Sequence, residues 1–238
     1  MQKIGKWLLA CLFVTTLGCN AEQSDSSAPG APSGPETSAA QVKPAPVNVD
    51  YQEGVHYEVL PQPVPTATGD KIEVTEVFWY GCSHCFDFEP TLEKWAEQLP
   101  DDVVLIRNPA QWDAQGIMAR HARIYYTARA LGVLDAVHTA AFEAMNVERQ
   151  ELRTEEGIAK LFVEQGVSRE DFDKTFNSFG VTSAVRQAES RQRGYRTQGT
   201  PELIVDGKYR VSTRQAGSHE GMLKVVDFLV DKIRRERQ

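Results

Sequence analysis

Val77-Phe78-Trp79-Tyr80-Gly81-Cys82-Ser83-His84-Cys85 is the stretch of this 238-residue chain from which the fold can be read. An apolar run ends in two cysteines separated by two residues. Helical spacing follows at once, with Phe88, Leu92, Trp95, Ala96 and Leu99 on one face between about Cys82 and Gln98. A strand that turns directly into a helix puts Cys82 at the helix N-terminus, where unsatisfied backbone N–H groups favour a thiolate over a thiol. Cys85 lies about one turn further on, close enough to close a small disulfide. This is the geometry of a redox-active dithiol.

The other cysteines, Cys11 and Cys19, fall in the N-terminal segment, so the folded body carries a single pair. Structural zinc needs four ligands, and His56, His121, His138 and His219 are scattered singly; no metal site is expected. A purely structural disulfide would close too short a loop to constrain the unfolded chain. A module that holds copper(I) through Cys82, Cys85 and His84 is the reading from a different class, since soft thiolates select that ion. No further Cys or Met lies near the motif to support it.

Lys3 and Lys6 followed by the apolar stretch Trp7 to Val14 make residues 1–18 a secretory signal, too short to span a bilayer. Thr15-Thr16-Leu17-Gly18-Cys19 resembles a bacterial lipobox, which would leave Cys19 lipidated. Its leucine stands two residues before the cysteine where three is preferred, and cleavage after Ala21 is the rival. Residues 19–50 are rich in Pro, Ala, Ser and Gly and read as a disordered tether. Removal of the two lysines takes the formal charge from −7 to −9, which argues against a nucleic-acid partner.

Beyond the tether, Val59-Leu60 opens a first strand and Ile72 to Tyr80 reads as a buried one. Pro90 is expected to kink the helix that follows. Val103 to Ile106 reads as a short strand, and Gly116 to Arg196 is helical almost throughout. Ser168 and Asp171 make a helix start, with Phe172, Phe176 and Phe179 at helical spacing after it. Glu202-Leu203-Ile204-Val205 and Lys208-Tyr209-Arg210-Val211 flank Asp206-Gly207, a two-residue hairpin signal. A final helix carries Met222, Val225, Val226, Leu229, Val230 and Ile233 on one face, and Arg234, Arg235 and Arg237 in its last turn suit its dipole. The order gives an α/β fold: a thioredoxin-like core (residues 51–112 and 197–238) split by an inserted helical subdomain (113–196).

From Glu53-Gly54-Val55-His56-Tyr57 to the last helix, the chain resembles the DsbA family of periplasmic thiol:disulfide oxidoreductases. The motifs that carry the resemblance are Phe78-Trp79-Tyr80-Gly81-Cys82-Ser83-His84-Cys85 and Gly199-Thr200-Pro201. It implies that Pro201 is cis and lies against the dithiol; a trans proline opening an edge strand is the other reading. It implies no cofactor beyond the Cys82–Cys85 disulfide, and catalytic roles for Cys82, Cys85, His84 and Pro201. His84 would add a positive charge or a ring N–H near the Cys82 sulfur. Thr200 would set the polarity beside Cys82 and offer its backbone to an extended substrate. Glu76 matches a buried acid beneath the family's active site, although a solvent-facing glutamate would read the same way. Ser83 stands where the family most often has proline, which restores an N–H and removes a conformational restriction. The implied partners are unfolded exported proteins with free cysteines and a quinone-linked oxidase of the DsbB type. A tether in place of the dimerisation domain of DsbC-like isomerases argues for a monomer, held to a membrane if Cys19 is lipidated. A periplasmic reductase or isomerase is the alternative direction for the same chemistry.

Overall fold

The computed structural model describes residues 50–113 and 115–238. The signal segment, Cys19 and nearly all of the tether lie outside the described residues. The first strands and helix are β1 (Glu58–Val59), β2 (Ile72–Phe78), α1 (Ser83–Ala96) and β3 (Val103–Pro109). Five helices follow: α2 (Ile117–Leu131), α3 (Leu134–Asn146), α4 (Glu155–Glu164), α5 (Arg169–Phe176) and α6 (Phe179–Tyr195). The chain ends in β4 (Glu202–Val205), β5 (Tyr209–Ser212), the short α7 (Thr213–Ala216) and α8 (His219–Glu236).

The five strands form one sheet in the order β1-β5-β4-β2-β3, with β2 and β3 parallel and every other pair antiparallel. The parallel pair needs a crossover, which α1 supplies. Every residue of β2 is buried, because both faces of this central strand are covered. Ile72 and Val74 pack with Phe88 and Leu92 of α1, with Leu203 and Val205 of β4, and with the apolar face of α8. The alternate residues Val77 and Ile204 pack with Tyr195 of α6 on the opposite face. Glu76 has the parity of Ile72 and Val74, which puts it on the face that α1 covers. A separate core binds α2 to α5, and Phe78, Tyr80 and Cys85 belong to it.

The fold departs from the sequence expectations in several places, beginning with β1, which takes Glu58 and Val59 and leaves Leu60 out. The second strand ends at Phe78 and leaves Trp79 and Tyr80 in the turn. β3 runs on to Pro109, and the polar Arg107 that hid this extension pairs in register with Glu76. The helix begun at Ser168 stops at Phe176 and a new one starts after the cap Ser178, so Phe179 is 86% exposed while Phe172 and Phe176 are buried. In the hairpin, Asp206 and Gly207 take the positive φ values of a primed turn, +52° and +61°. The ladder pairs Val205 with Tyr209 and leaves Lys208 as an extra residue. The strap before β2 explains this, since Leu60 N–H donates to the Lys208 carbonyl and Val64 N–H to that of Gly207 (both 2.8 Å). Pro90 sits inside an unbroken α1. The last-turn arginines of α8 also hold the sheet: Arg234 grips Asp102 through two 2.7 Å bonds, and Arg237 reaches Asp206 at 2.8 Å.

Gly207 combines positive φ with a close approach, since a Cβ there would meet the Val64 carbonyl oxygen at 1.9 Å. Gly207→Ala is expected to lower unfolding stability by about 2–3 kcal/mol. Gly132→Ala, with φ +71° and open space around it, should lose only about 1 kcal/mol. Urea denaturation of both variants checks the difference.

Candidate active site

Cys82 caps the N-terminus of α1 in an extended conformation (φ −96°, ψ 111°). Its carbonyl accepts the amides of Cys85 and Phe86, both at 3.1 Å, and its own N–H donates to Trp79 O at 2.9 Å. Tyr80 and Trp79 hold this turn from either side. The Tyr80 hydroxyl and His138 Nδ1 are 2.9 Å apart, and Asn146 Nδ2 donates to the Tyr80 carbonyl at 2.8 Å. The Trp79 indole N–H donates to His121 Nδ1 (2.9 Å), which leaves the proton on Nε2 to bond the Glu151 carbonyl at 3.1 Å. The same indole occupies the space beside Gly81, where a Cβ would come within 2.5 Å of the ring. Gly81 is therefore required by its neighbour.

Cys82 and Cys85 are free thiols in unlike surroundings, Cys82 half-buried and Cys85 fully buried. As a thiol, Cys82 donates to the Thr200 carbonyl at 3.3 Å. As a thiolate it accepts hydrogen bonds from the Cys85 thiol, the Thr200 hydroxyl and the amides of Cys85 and His84. These outweigh its desolvation and bring its pKa down to about 5. Cys85 goes the other way. Burial raises its pKa well above the usual thiol range, and the hydrogen bond to Cys82, the Cys82 charge and the Glu76 charge add to the rise.

Glu76 lies fully buried on β2, where Arg107 Nε of β3 donates to its Oε2 at 3.1 Å. The same guanidinium donates to Glu89 at 3.0 Å and contacts Glu93, both on α1. His138 Nε2 stands 3.3 Å from Glu89 Oε1. One cation thus serves three carboxylates. Burial and the Glu89 charge raise the Glu76 pKa well above the carboxylate range, more than Arg107 lowers it. Burial also pushes Glu89 up, but the nearby His138 and the charge of Arg107 leave it below its ordinary value. The network has one carboxyl that resists ionisation, and it is the one whose charge reaches Cys85.

The Thr200–Pro201 peptide bond is cis. Thr200 faces Cys82, and Pro201 leads directly into β4. Beside them runs a groove of about 330 Å³ lined by His84, Thr200, Pro201, Glu202, Thr213 and Arg214 among others. His84 is exposed on its wall; among the groups that favour the thiolate it is the His84 amide that counts. Ser83 is exposed at the first position of α1. The fold therefore gathers Cys82, Cys85, His84, Thr200 and Pro201 at one place and sets Glu76 beneath Cys85. Sequence reasoning missed Arg107, Glu89, His138 and His121. A basic residue in an apolar strand was the available signal for Arg107; nothing local marks the others.

In the reduced protein, the thiolate absorbance of Cys82 should titrate with a midpoint near 5, and Cys82→Ser should remove that transition. Arg107→Met should cost about 3–5 kcal/mol at neutral pH, because it leaves buried carboxylates without their cation. Glu76 has a folded pKa above its unfolded value, so its contribution is full at acid pH and is lost as pH rises towards the folded value. The loss in the variant should accordingly shrink on acidification, as urea unfolding at several pH values would show.

Residues 73–219 match the family described as DSBA-like thioredoxin domain. The thiol:disulfide interchange protein DsbA of Pseudomonas aeruginosa is 41% identical over 185 residues, 78% of this chain and 87% of that protein. The Azotobacter vinelandii protein of that name is 38% identical over 198 residues, 83% and 90% of the two chains. The crystal structure of P. aeruginosa DsbA has a TM-score of 0.75 at 40% identity, covering 79% of this chain and 97% of that one. The oxidoreductase DsbA from Xylella fastidiosa gives 0.70 at 31% identity, covering 76% and 96%. A mixed sheet leading into an N-terminal Cys-Ser-His-Cys helix, a cis-proline loop against its first sulfur and similarity over most of the chain have one reading: this chain belongs to the DsbA family of thiol:disulfide oxidoreductases.

Proposed function

We propose that this oxidoreductase works as a dithiol oxidase, donating the Cys82–Cys85 disulfide to exported proteins. The observation that supports this direction is the divergence of the two thiols, one drawn down to about 5 and the other pushed well up. Reduction yields a stabilised thiolate at Cys82 that the disulfide lacks, so the disulfide is a strong acceptor of electrons.

A substrate thiolate attacks Cys82 Sγ, the half-buried sulfur, because Cys85 is out of reach. The Cys82–Cys85 bond breaks, a mixed disulfide forms, and Cys85 leaves and takes up a proton. Glu76, a buried carboxyl that favours its protonated form, is the group we assign to supply and later recover that proton. A second substrate thiolate then attacks the substrate sulfur of the mixed disulfide and expels Cys82 as a stable thiolate. The substrate loses two electrons as its disulfide forms, and the enzyme gains them as a dithiol. In this reading Thr200 and Pro201 present backbone to an extended substrate. His84 lines the entrance, and Ser83 tunes the potential through the N–H that proline would lack.

The reading extends to the whole chain. Residues 1–18 direct export to the periplasm and residues 19–50 tether the body, with Cys19 as the site of lipidation. Residues 51–112 and 197–238 form the thioredoxin-like core, and 113–196 the helical insertion. The enzyme acts as a monomer that needs no metal or other cofactor and is reoxidised by a DsbB-like quinone-linked membrane oxidase.

Equilibration with glutathione buffers should place the Cys82–Cys85 potential far above the roughly −270 mV of thioredoxin. DsbA itself stands at about −120 mV. A thioredoxin-like value would reverse the direction to a reductase. Ser83→Pro should shift the potential measurably, and an unchanged value would remove Ser83 as a tuner.

A further inference from the structure

Glu202 is a buried acid that the chemistry above does not use. It is the first residue after Pro201 and 4% exposed. Its carboxylate turns back to the loop that precedes it, accepting the Gln198 N–H at 3.2 Å on Oε1 and 3.4 Å on Oε2. The Gly199 amide also stabilises it. The side chain therefore closes the segment from Gln198 to Pro201 on itself, and this segment carries the Thr200 carbonyl to within 3.3 Å of Cys82 Sγ. Behind it lies Arg210 of β5, itself buried, whose guanidinium bonds the Arg196 carbonyl at the end of α6 and Glu58 of β1. Arg210 Nε has no hydrogen-bond partner and points to Glu202 Oε2 only at 3.9 Å.

We propose that Glu202 is a positioning residue for disulfide exchange, holding the cis-proline loop in the conformation that docks an extended substrate against Cys82. A carboxylate that accepts two successive amides fixes a turn more firmly than a neutral acceptor does. The loop is otherwise held by the Cys82 contact to Thr200 and by a 3.4 Å bond from Arg214 to the exposed Gln198 side chain; Gly199 and Thr200 are half-buried, and Gly199 has open space around it. Holding the loop is thus a property of charge. The groups that face Glu202 are Arg210 from β5 and Glu58 from β1, with His84 of α1 and Arg214 of α7 on the shared groove. Arg210 is divided between two carboxylates, so Glu202 is under-compensated. Its burial, opposed by Arg210, raises its pKa to about 7. The loop should therefore tighten as pH rises through neutrality and loosen as pH falls.

The inference rests on the exchange reaction at Cys82 and is tested by comparison with the isosteric Glu202→Gln. The full-length protein and the variant oxidise a ten-residue peptide with two cysteines, and separately dithiothreitol, across about pH 5.5–8.5. The peptide kcat/KM ratio of wild type to variant should be near one at the acid end and about 5-fold at the alkaline end, the scale of the difference between a charge-assisted and a neutral hydrogen bond. The ratio cancels the ionisation of the substrate thiols. For dithiothreitol, which needs no docking along the loop, the ratio should change with pH much less than for the peptide, moved only by what the Thr200 contact does to Cys82 itself; an equal change for both substrates would overturn the docking role. In the wild type, the backbone amide resonances of Gln198 and Gly199 should titrate together with a midpoint near 7, and these shifts should vanish in the variant. A flat peptide ratio would overturn the proposal even if the amides titrate, and amides that do not titrate would overturn it whatever the ratio. Failure of the wild type to oxidise dithiothreitol would instead count against the exchange chemistry itself.

Discussion

The central strand β2 ends directly beneath the first turn of α1, and the rest of the site depends on that junction. A sulfur placed at a helix N-terminus meets amides that lack partners within the helix. Cys82 meets a second set of groups as well, because β4 pairs antiparallel with β2 and sets Glu202 opposite Val77. That register carries the cis-proline loop, 118 residues away in sequence, to the Cys82 sulfur. Strand pairing therefore decides which backbone faces the thiolate. The strap over Gly207 and the bonds from Arg234 and Arg237 secure the sheet from its far end.

Two sulfurs one helical turn apart acquire opposite chemistry, the outer one from hydrogen bonds and the inner one chiefly from burial. The outer one sees donors and some solvent, whereas the inner one is packed among Phe78, Tyr80 and the helices of the insertion. A low-dielectric setting penalises the charged form of Cys85, and the Glu76 charge adds to that penalty. The helical insertion supports this directly. His138 and Asn146 of α3 fix Tyr80, and His138 also approaches Glu89 in the acid cluster. His121 of α2 fixes Trp79. Each side of the turn before Cys82 is thus held by a helix that is not part of the thioredoxin-like sheet.

Near this site each buried arginine serves more than one carboxylate. Arg107 serves Glu76, Glu89 and Glu93, and Arg210 serves Glu58 and Glu202. Each cluster leaves one carboxyl with a raised pKa, Glu76 under α1 and Glu202 beside Pro201. Burying a carboxyl with half a partner keeps its proton exchangeable, while full pairing would lock it ionised. The two carboxyls stand on opposite faces of the sheet, Glu76 on that of Ile72, Val74 and Leu203 and Glu202 on that of Val77 and Ile204.

The amino-acid sequence by itself determined the dithiol, the helix that begins at it, the order of elements and the turn at Asp206-Gly207. These are local: cysteine spacing, helical and strand periodicity, and a dipeptide suited to positive φ all act within a few residues. The resemblance to the family marked Glu76, which the local pattern does not separate from Glu73 on the same strand. The sequence did not show where β3 ends or why Phe179 is exposed, because Arg107 breaks the apolar pattern and Ser178 restarts a helix whose spacing looks continuous. The hairpin register depended on a strap that starts more than 140 residues earlier, at Leu60. Only the tertiary structure decided that Arg107 is the counter-ion of Glu76, that His138 and His121 brace the turn, and that Glu202 folds back on the cis-proline loop. The reason is physical: pKa and position depend on which charges and donors lie within a few ångströms, and here they come from strands and helices far apart in the chain.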